Sequence, residues 1–444
     1  EEAVGGTPRE AQARLRESVD GACASGVASV AEARRWLDRI RAEGLAAARH
    51  VAGLPPADRP GEPAAASHAS FWADAFVRQC GTLQEELERV AAWDAMPPAR
   101  DGPVDPGAIR RIPTLRELAA FEGGAGPATE RMARIGRLAL QCEELARMEW
   151  DFLYDADRHL LAIGYNVAQG RVDPSCYDLL ASEARLACFV AISQGRLPQE
   201  SWFALGRLLT SAGGGPVLLS WSGSVFEYLM PLLVMPSYDN TLLDQTYRAM
   251  VDRQIAYGRQ RGVPWGMSES GYNAVDAGLN YQYRAFGVPG LGLKRGLADD
   301  LVIAPYASAL SLMVAPEEAC LNLQRLSAGG LAGRFGLYEA IDYTPARVPR
   351  GQSGAVVRSF MAHHQGMILL SVAHVLLARP MQRRFESDPL FKASLLLLQE
   401  RIPRTAAFHA PSPEVSAGRG PSAGTEVPVR VIGNPDTPAP EVQL

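Results

Sequence analysis

The sequence predicts an all-α fold, an (α/α)6 toroid of six helical hairpins closed into a ring. Additional N-terminal helices and a small β-hairpin complete the prediction. Three observations carry it. Apolar residues return at helical spacing in about a dozen separate segments. Gly- and Pro-rich loops punctuate those segments in a rhythm of helix, loop, helix. Only one stretch alternates as strands do. No fixed-period repeat is visible, which argues against a short-repeat solenoid and leaves an open helical solenoid as the alternative. With 444 residues, 47% of them hydrophobic, the chain can bury a large core.

The elements follow in order. Residues 8–52 are rich in Ala, Arg, Glu and Leu and read as two amphipathic helices. Residues 53–65 are a loop. Ser70–Trp93 reads as a long helix, with Phe71, Phe76, Leu83 and Leu87 on one face. Residues 94–113 are Pro- and Gly-rich and irregular. Leu115–Phe121 is a short helix, and a longer one spans Thr129–Trp150 after the break at Gly123–Pro127. Phe152–Val167 alternates around a turn signal at Asp155–Asp157, which makes it the hairpin. Asp173-Pro174-Ser175 reads as the cap of a helix over Cys176–Gln194. Further helices are predicted at Gln199–Ser211, Ser224–Met235, Thr241–Gln260, Ala307–Val314, Pro316–Ala328, Gly354–Ala378 and Met381–Glu400. Pro231 should strain or end the helix that contains it. Residues 405–444 carry seven prolines among Gly, Ser and Thr and read as an extended linker. The expected organisation is an N-terminal helical region over 1–125, a catalytic region over 126–404 whose ring begins as early as about residue 66, and the linker to a further C-terminal domain.

Composition narrows the function classes. Net charge is -5 without a basic stripe, so nucleic acid is not an expected partner. The longest apolar run, Met367–Ala378, is interrupted by Ser371 and His374 and falls short of the roughly 18 residues a membrane span needs. The chain begins at Glu1 rather than Met and reads as a piece of a longer protein. Cys23, Cys80, Cys142, Cys176, Cys188 and Cys320 include no C-x-x-C pair and read as buried, reduced thiols of a reducing compartment. The histidines show no H-E-x-x-H spacing, and no metal or cofactor is expected. Gly287-Val-Pro-Gly-Leu-Gly292 is glycine-rich but follows no strand, so it is a weak phosphate-loop signal.

Four stretches combine carboxylates, aromatics and loop residues. In Gly262–Leu293, Trp265, Tyr272, Asn273, Tyr281 and Tyr283 sit close to one carboxylate, Glu269. Flat apolar rings with polar rims suit a sugar, and they equally suit a helix-packing core. In Asp173–Arg185, Glu183 lies on an Ala-rich apolar helix, where a charge should be paired or functional, or else solvated. In Leu218–Pro231, Trp221, Phe226 and Tyr228 flank Glu227, at a spacing that core packing also explains. In Gly333–Pro349, Tyr338, Glu339, Asp342 and Tyr343 face one site or brace a loop. His363, His364 and Gln365 head a helix, one of them as a hydrogen-bonding wall residue; taken singly, each histidine also fits a structural role. Carboxylates among aromatics in a helical ring fit glycoside chemistry, in which one carboxyl protonates the leaving oxygen and the other attacks the anomeric carbon or activates water.

The segments YDLLASEARLACFVAISQG, LLSWSGSVFEYLMP, GVPWGMSESGYN, YQYRAFGVPGLGLKRGLADDLVIAPYASAL, GLYEAIDYTPARVP and VVRSFMAHHQGM resemble the middle domain of bacterial cyclic β-1,2-glucan synthases, in order, from about Met148 to Arg404. The resemblance implies a retaining, glycoside-hydrolase-like (α/α)6 domain that closes linear β-1,2-glucan into a ring by transglycosylation. It implies linear and cyclic β-1,2-glucan as ligands, flanking glycosyltransferase and phosphorylase-like domains as partners, and a soluble, cytoplasm-facing position in an inner-membrane parent. By matching segments, Glu183 in LLASEAR is the nucleophile and Glu269 in WGMSES the general acid/base, with Glu339 in reserve. Trp221, Phe226, Glu227, Tyr228, Trp265, Tyr272, Asn273, Tyr281, Tyr283, Tyr306, Asp342, Tyr343, His363 and His364 would line the subsites. The alternatives are an inverting endo-β-1,2-glucanase, a non-catalytic glucan-binding toroid and an α-helical interaction scaffold. A retaining pair needs carboxyl groups about 5–5.5 Å apart, against roughly 6.5–9.5 Å for an inverting one.

Overall fold

The computed structural model describes residues 8–25, 30–52, 65–90, 114–121, 126–212, 215–403, 408–409 and 442–443. The predicted loops at 53–65 and 94–113, except Ala65, which opens a helix, and nearly all of the predicted linker at 405–444, lie outside the described residues. The chain divides into two compact units, 1–148 and 149–444.

The first unit holds α1 (Pro8–Ser25), α2 (Val30–Ala52), α3 (Ala65–Val90), α4 (Leu115–Phe121) and α5 (Pro127–Leu145). Pro127 opens α5, where the missing N–H costs nothing. This helix ends at Leu145, five residues short of the sequence expectation.

The second unit is also mainly helical but carries more strand than expected. Two hairpins come first, β1 (Tyr154–Asp155) with β2 (Leu160–Leu161) and β3 (Tyr165–Asn166) with β4 (Arg171–Val172). The first is the hairpin read from the alternation. Next come α6 (Ser182–Ser193), α7 (Glu200–Ala204) and the hairpin of β5 (Leu209–Ala212) and β6 (Gly215–Leu218). Helix α6 starts six residues later than predicted. Asp173 turns its carboxylate onto Ser175 N–H rather than capping a helix, and Asp178 accepts from the N–H groups of Leu180 and Ala181.

Helix α8 (Val225–Leu229) opens on a capping box between Ser224 and Glu227 and tightens into a 3-10 turn at Pro231. Helix α9 (Leu242–Arg261) is bounded as its sequence dictates. Thr241 caps its start through Asp244 N–H, and Gly262 ends it in the left-handed region at φ 69°. Gly262–Leu293 is not only loop, because β7 (Ser270–Val275) and β8 (Tyr281–Arg284) pair antiparallel within it. Strand β9 (Val302–Ile303) precedes α10 (Pro305–Leu310) and α11 (Pro316–Leu326). A short hairpin, β10 (Ala332–Gly333) with β11 (Gly336–Leu337), leads to β12 (Ala340–Asp342), the centre of a three-stranded sheet between β9 and β13 (Ala355–Val357). After β14 (Ser359–Phe360), α12 (Ala362–Leu376) begins eight residues later than predicted. The helix predicted over Met381–Glu400 is broken into α13 (Pro380–Ser387), α14 (Pro389–Lys392) and a 3-10 turn, because Pro389 cannot continue it.

One core cluster runs through α6, α8, α9, α10 and α12. Phe189 anchors it at α6, with Trp202, Phe385 and Phe391 packed around its ring. The glycine-rich stretch after β8 is a clamp on the Ser220–Ser224 loop. A Cβ on Gly287 would stand 1.8 Å from the Ser222 carbonyl oxygen, and one on Gly292 would stand 2.6 Å from the Ser222 carbonyl carbon. Only bare backbone permits that approach. Four main-chain bonds then lock the two segments, from Ser220 to Leu291, Val288 to Gly223, Leu293 to Ser220 and Lys294 to Trp221. The cysteine expectation holds for Cys80 and Cys188, which are buried; Cys23, Cys142 and Cys320 are exposed. Among the described residues no helix is long and apolar enough to cross a membrane.

Candidate active site

Glu269 sits where α9 has ended and β7 begins, on a segment held by buried side chains. Gln254 clamps Met267 from both sides, accepting from its N–H and donating to its carbonyl, each at 2.9 Å. Asn322 does the same for Trp265, and Ser308 donates to the Trp265 carbonyl. Ser268 Oγ accepts from Phe226 N–H and lies 2.7 Å from the Tyr306 hydroxyl, which donates to the Glu269 carbonyl at 2.9 Å. The backbone that carries Glu269 is therefore tied to α8, α9, α10 and α11.

Its carboxylate faces a second network. The Tyr283 hydroxyl on β8 lies 3.4 Å from Glu269 Oε2 and 3.4 Å from His364 Nε2 at the start of α12. His364 Nδ1 meets Glu339 Oε2 at 2.9 Å, with both side chains only 1% exposed. Gly271 N–H donates to the other Glu339 oxygen at 3.0 Å. Tyr306 stacks on the His364 ring, centroids 3.7 Å apart and planes 12° apart. Four side chains from β8, α10, α12 and the approach to β12, with the Gly271 N–H of β7, thus converge beside one carboxyl.

Electrostatics single out the same residue. Burial raises the Glu269 pKa, the charges of Glu227 and then Glu183 raise it further, and the Tyr283 bond and His364 oppose them. A carboxyl kept protonated in this way is what a general acid needs. Burial, with the neighbouring carboxylates of Glu269 and Glu339, also pushes the Tyr283 phenol upward, so it stays a neutral donor. Glu183 stands in the first turn of α6, exposed, near enough for its charge to reach Glu269. Two residues on, Arg185 is buried, donates to the Tyr228 carbonyl at 3.0 Å and lies over the Tyr247 ring.

The remaining predicted residues divide by what they touch. Glu227 is a hub: its Oε2 accepts from the hydroxyls of Ser220, Ser222 and Ser224 and from the N–H groups of Ser222 and Ser224. Tyr228 is wholly buried and donates to Leu218 and Leu291 carbonyls, so its role is internal. Trp265 is buried and lines a separate groove with Ile255, Val263 and Leu321. Asn273 and Asp342 belong to an ionic network: Asp342 accepts from Asn273 N–H and from Arg347, which also reaches Asp300, and Arg284 pairs with Asp300. Tyr343 is half-buried, with its ring against Gly354. Tyr281 bonds the Arg358 main chain. Phe226 and Tyr272 are half-buried against the core. His363 is exposed beside His364, and burial and then its neighbour's charge lower its pKa. Trp221 is 64% exposed on the serine loop.

Sequence reasoning passed over Gln254, Asn322 and Ser268, and it singled out Arg185 only as a charge on the apolar helix of Glu183. A signal existed for the first two, since an amide on the apolar face of a helix needs a partner. Glu227 was placed in the subsites, while the capping-box spacing of Ser224-Val-Phe-Glu227 signalled its structural role.

The family model described as "Putative glucoamylase" matches residues 176–389, which include Glu183, Glu269 and the network around them. The chain is 48% identical over 289 residues, 65% of its length, to cyclic β-(1,2)-glucan synthase NdvB of Rhizobium meliloti (strain 1021), and it spans 10% of that protein. The resemblance to cyclic β-1,2-glucan synthases read from the segments is thus matched in a curated relative. Similar solved structures include a "putative glucoamylase" from Bacteroides caccae ATCC 43185, at 15% identity over 82% of each chain and a TM-score of 0.45. An endo-β-1,2-glucanase from Talaromyces funiculosus in complex with sophorose is 13% identical over 84% of this chain and 80% of that one, also at 0.45.

Proposed function

We propose that this chain holds a retaining transglycosylase that closes linear β-1,2-glucan into a ring, within a longer cyclic β-1,2-glucan synthase. One observation carries the catalytic reading. Glu269 is held toward its protonated form by burial and by two other carboxylates, beside the partly exposed hydroxyl of Tyr283. Glu269 serves as general acid/base and Glu183, exposed and charged beside it, as nucleophile. In the first step Glu183 attacks the anomeric carbon while Glu269 gives its proton to the departing glycosidic oxygen. In the second, Glu269 takes the proton of the incoming hydroxyl, which bonds to the anomeric carbon and releases Glu183. The exposed ring of Trp221 and the partly exposed ring of Tyr283 offer flat faces for glucosyl units. The helices α8, α10 and α12, which carry Glu227, Tyr306 and His364, and α9, which precedes the segment that carries Glu269, are read as part of an (α/α)6 ring. The substrate class and the flanking glycosyltransferase and phosphorylase-like domains are inferred from the relative, as are the inner-membrane parent and the cytoplasmic face. The domain limits proposed are 1–125, 126–404 and a linker over 405–444.

The test is to incubate the chain with linear β-1,2-glucan and weigh the products. Rings, lighter by one water than linear chains of equal length, are expected. Glu183→Gln and Glu269→Gln should each remove them. Shorter linear products alone would replace transfer by hydrolysis. Turnover that survives Glu269→Gln would reject the acid assignment, and no turnover by the intact chain would leave a glucan-binding role.

A further inference from the structure

The hydrogen bonds beside Glu269 form a chain in which each proton has a direction. At its buried end, Glu339 accepts from Gly271 N–H at one oxygen, 3.0 Å, and meets His364 Nδ1 with the other at 2.9 Å. Both side chains are 1% exposed. A carboxylate only accepts, so His364 Nδ1 carries a proton, and in the neutral ring Nε2 is then a bare acceptor. Tyr306, stacked on that ring at 3.7 Å, holds its plane. Nε2 lies 3.4 Å from the Tyr283 hydroxyl, and the same hydroxyl lies 3.4 Å from Glu269 Oε2. Burial, with the carboxylates of Glu269 and Glu339, keeps the phenol protonated. Tyr283 therefore has one proton, for which Glu269 and His364 compete. The titratable groups around this chain are Glu227 and Glu183 at Glu269, Tyr306 at Tyr283 and His363 at His364.

We propose that Glu339, His364 and Tyr283 form a relay that sets the direction of the Tyr283 hydroxyl and, through it, whether Glu269 stands as an acid or as a base. Glu339 and His364 are positioning residues, since they act through Tyr283. When the hydroxyl points at His364, Tyr283 turns a lone pair toward Glu269 Oε2, which suits a protonated carboxyl that can donate to it. A carboxylate there would face a second oxygen with no proton between them. Once the Glu269 proton has passed to the departing glycosidic oxygen, the hydroxyl turns about its C–O bond and donates to the carboxylate. Glu269 is then held as the base that receives the proton of the incoming hydroxyl, and the relay itself gains and loses no proton. The proposal rests on the reading of Glu269 as general acid/base and deepens it.

The test is the pH profile of kcat/KM on linear β-1,2-glucan. Tyr283→Phe removes the donor to the carboxylate, so Glu269 keeps its proton to higher pH and the basic limb should move up. Glu339→Gln should do the opposite. Gly271 N–H holds the amide oxygen, so the amide N–H faces His364 Nδ1 and the ring's proton moves to Nε2. Nε2–H then donates to Tyr283, whose own proton turns to Glu269, and the basic limb should move down. The double variant should follow Tyr283→Phe. Each single variant should also lower kcat roughly tenfold to a hundredfold, the size of one hydrogen bond to a charged group, with KM little changed. In nitrogen NMR spectra, one of the seven histidines should carry its proton on Nδ1 in the intact chain and on Nε2 in Glu339→Gln. Tyr283 is 40% exposed, so Tyr283→Phe keeps the fold and serves even if Glu339→Gln does not fold. A purely structural role would lower kcat without opposite shifts of the limb. Limbs that stay in place or move together, or a tautomer that does not change, would overturn the relay and leave Glu269 as the acid. Turnover that survives Glu269→Gln would overturn both readings at once.

Discussion

Glu227 shows how one carboxylate can be structural and still act on the chemistry. The three serine hydroxyls that bind it keep it within the serine loop, and its charge is the largest neighbouring influence on Glu269. The sign follows from that. A raised pKa means that the Glu269 proton persists to higher pH, and an acid-dependent rate falls as pH rises through that pKa. Glu227→Gln removes one source of the rise, so the basic limb of kcat/KM should move to lower pH while the acidic limb stays in place. A basic limb that does not move would take Glu269 out of the acid role. Gln254 offers a separate test of how the site is held. Gln254→Leu strands the N–H and carbonyl of Met267 and should cost about 1–3 kcal/mol in urea unfolding, the range for a buried polar group left without its partner. Glu269 drew notice in the sequence because aromatics crowd it there. Glu339 and His364 were visible only singly, since their pairing joins residues 25 apart in the chain through two elements.

Helices were more legible than strands, and the elements themselves explain why. Helix α9 carries Thr241 before it, Asp244 in its first turn, Arg259 and Arg261 in its last and Gly262 after it, so local chemistry marks both ends. Strand β7 is buried at five of its six positions, so no polar alternation marks it as a strand. Strands β9, β12 and β13 have only two or three residues each and are defined by their pairing. The glycine-rich stretch was read for the wrong property, because its glycines serve a backbone contact with a loop far away in sequence. That contact is testable. Gly287→Ala places a methyl against the Ser222 carbonyl and should cost about 2 kcal/mol or more, typical of overpacking. Gly329→Ala, exposed and with nothing within 4 Å of its Cβ position, should stay within about 0.5 kcal/mol. Equal thermal shifts for the two variants would deny the clamp. If the clamp holds, Gly287→Ala should also move the pH profile in the same direction as Glu227→Gln, because the displaced serine loop holds the Glu227 carboxylate.

At the scale of the whole chain, the division between 1–148 and 149–444 has a functional consequence. Glu183, Glu227, Glu269, Tyr283, Tyr306, Glu339 and His364 all lie in the second unit, as does every member of the core cluster that supports them. A unit with its own core can fold alone, and here that unit also holds every group of the proposed site. A chain cut to residues 149–444 should therefore unfold cooperatively and form the same products from linear β-1,2-glucan as the full chain. Its kcat should match within about twofold, since a change of twofold is about 0.4 kcal/mol in the barrier. The informative split is between kcat and KM. If the first unit adds binding surface for a long substrate, the cut chain keeps kcat and its KM rises with glucan length. A folded fragment that keeps its calorimetric transition but forms no product would place a required group within residues 1–148, and the site built around Glu269 would be incomplete.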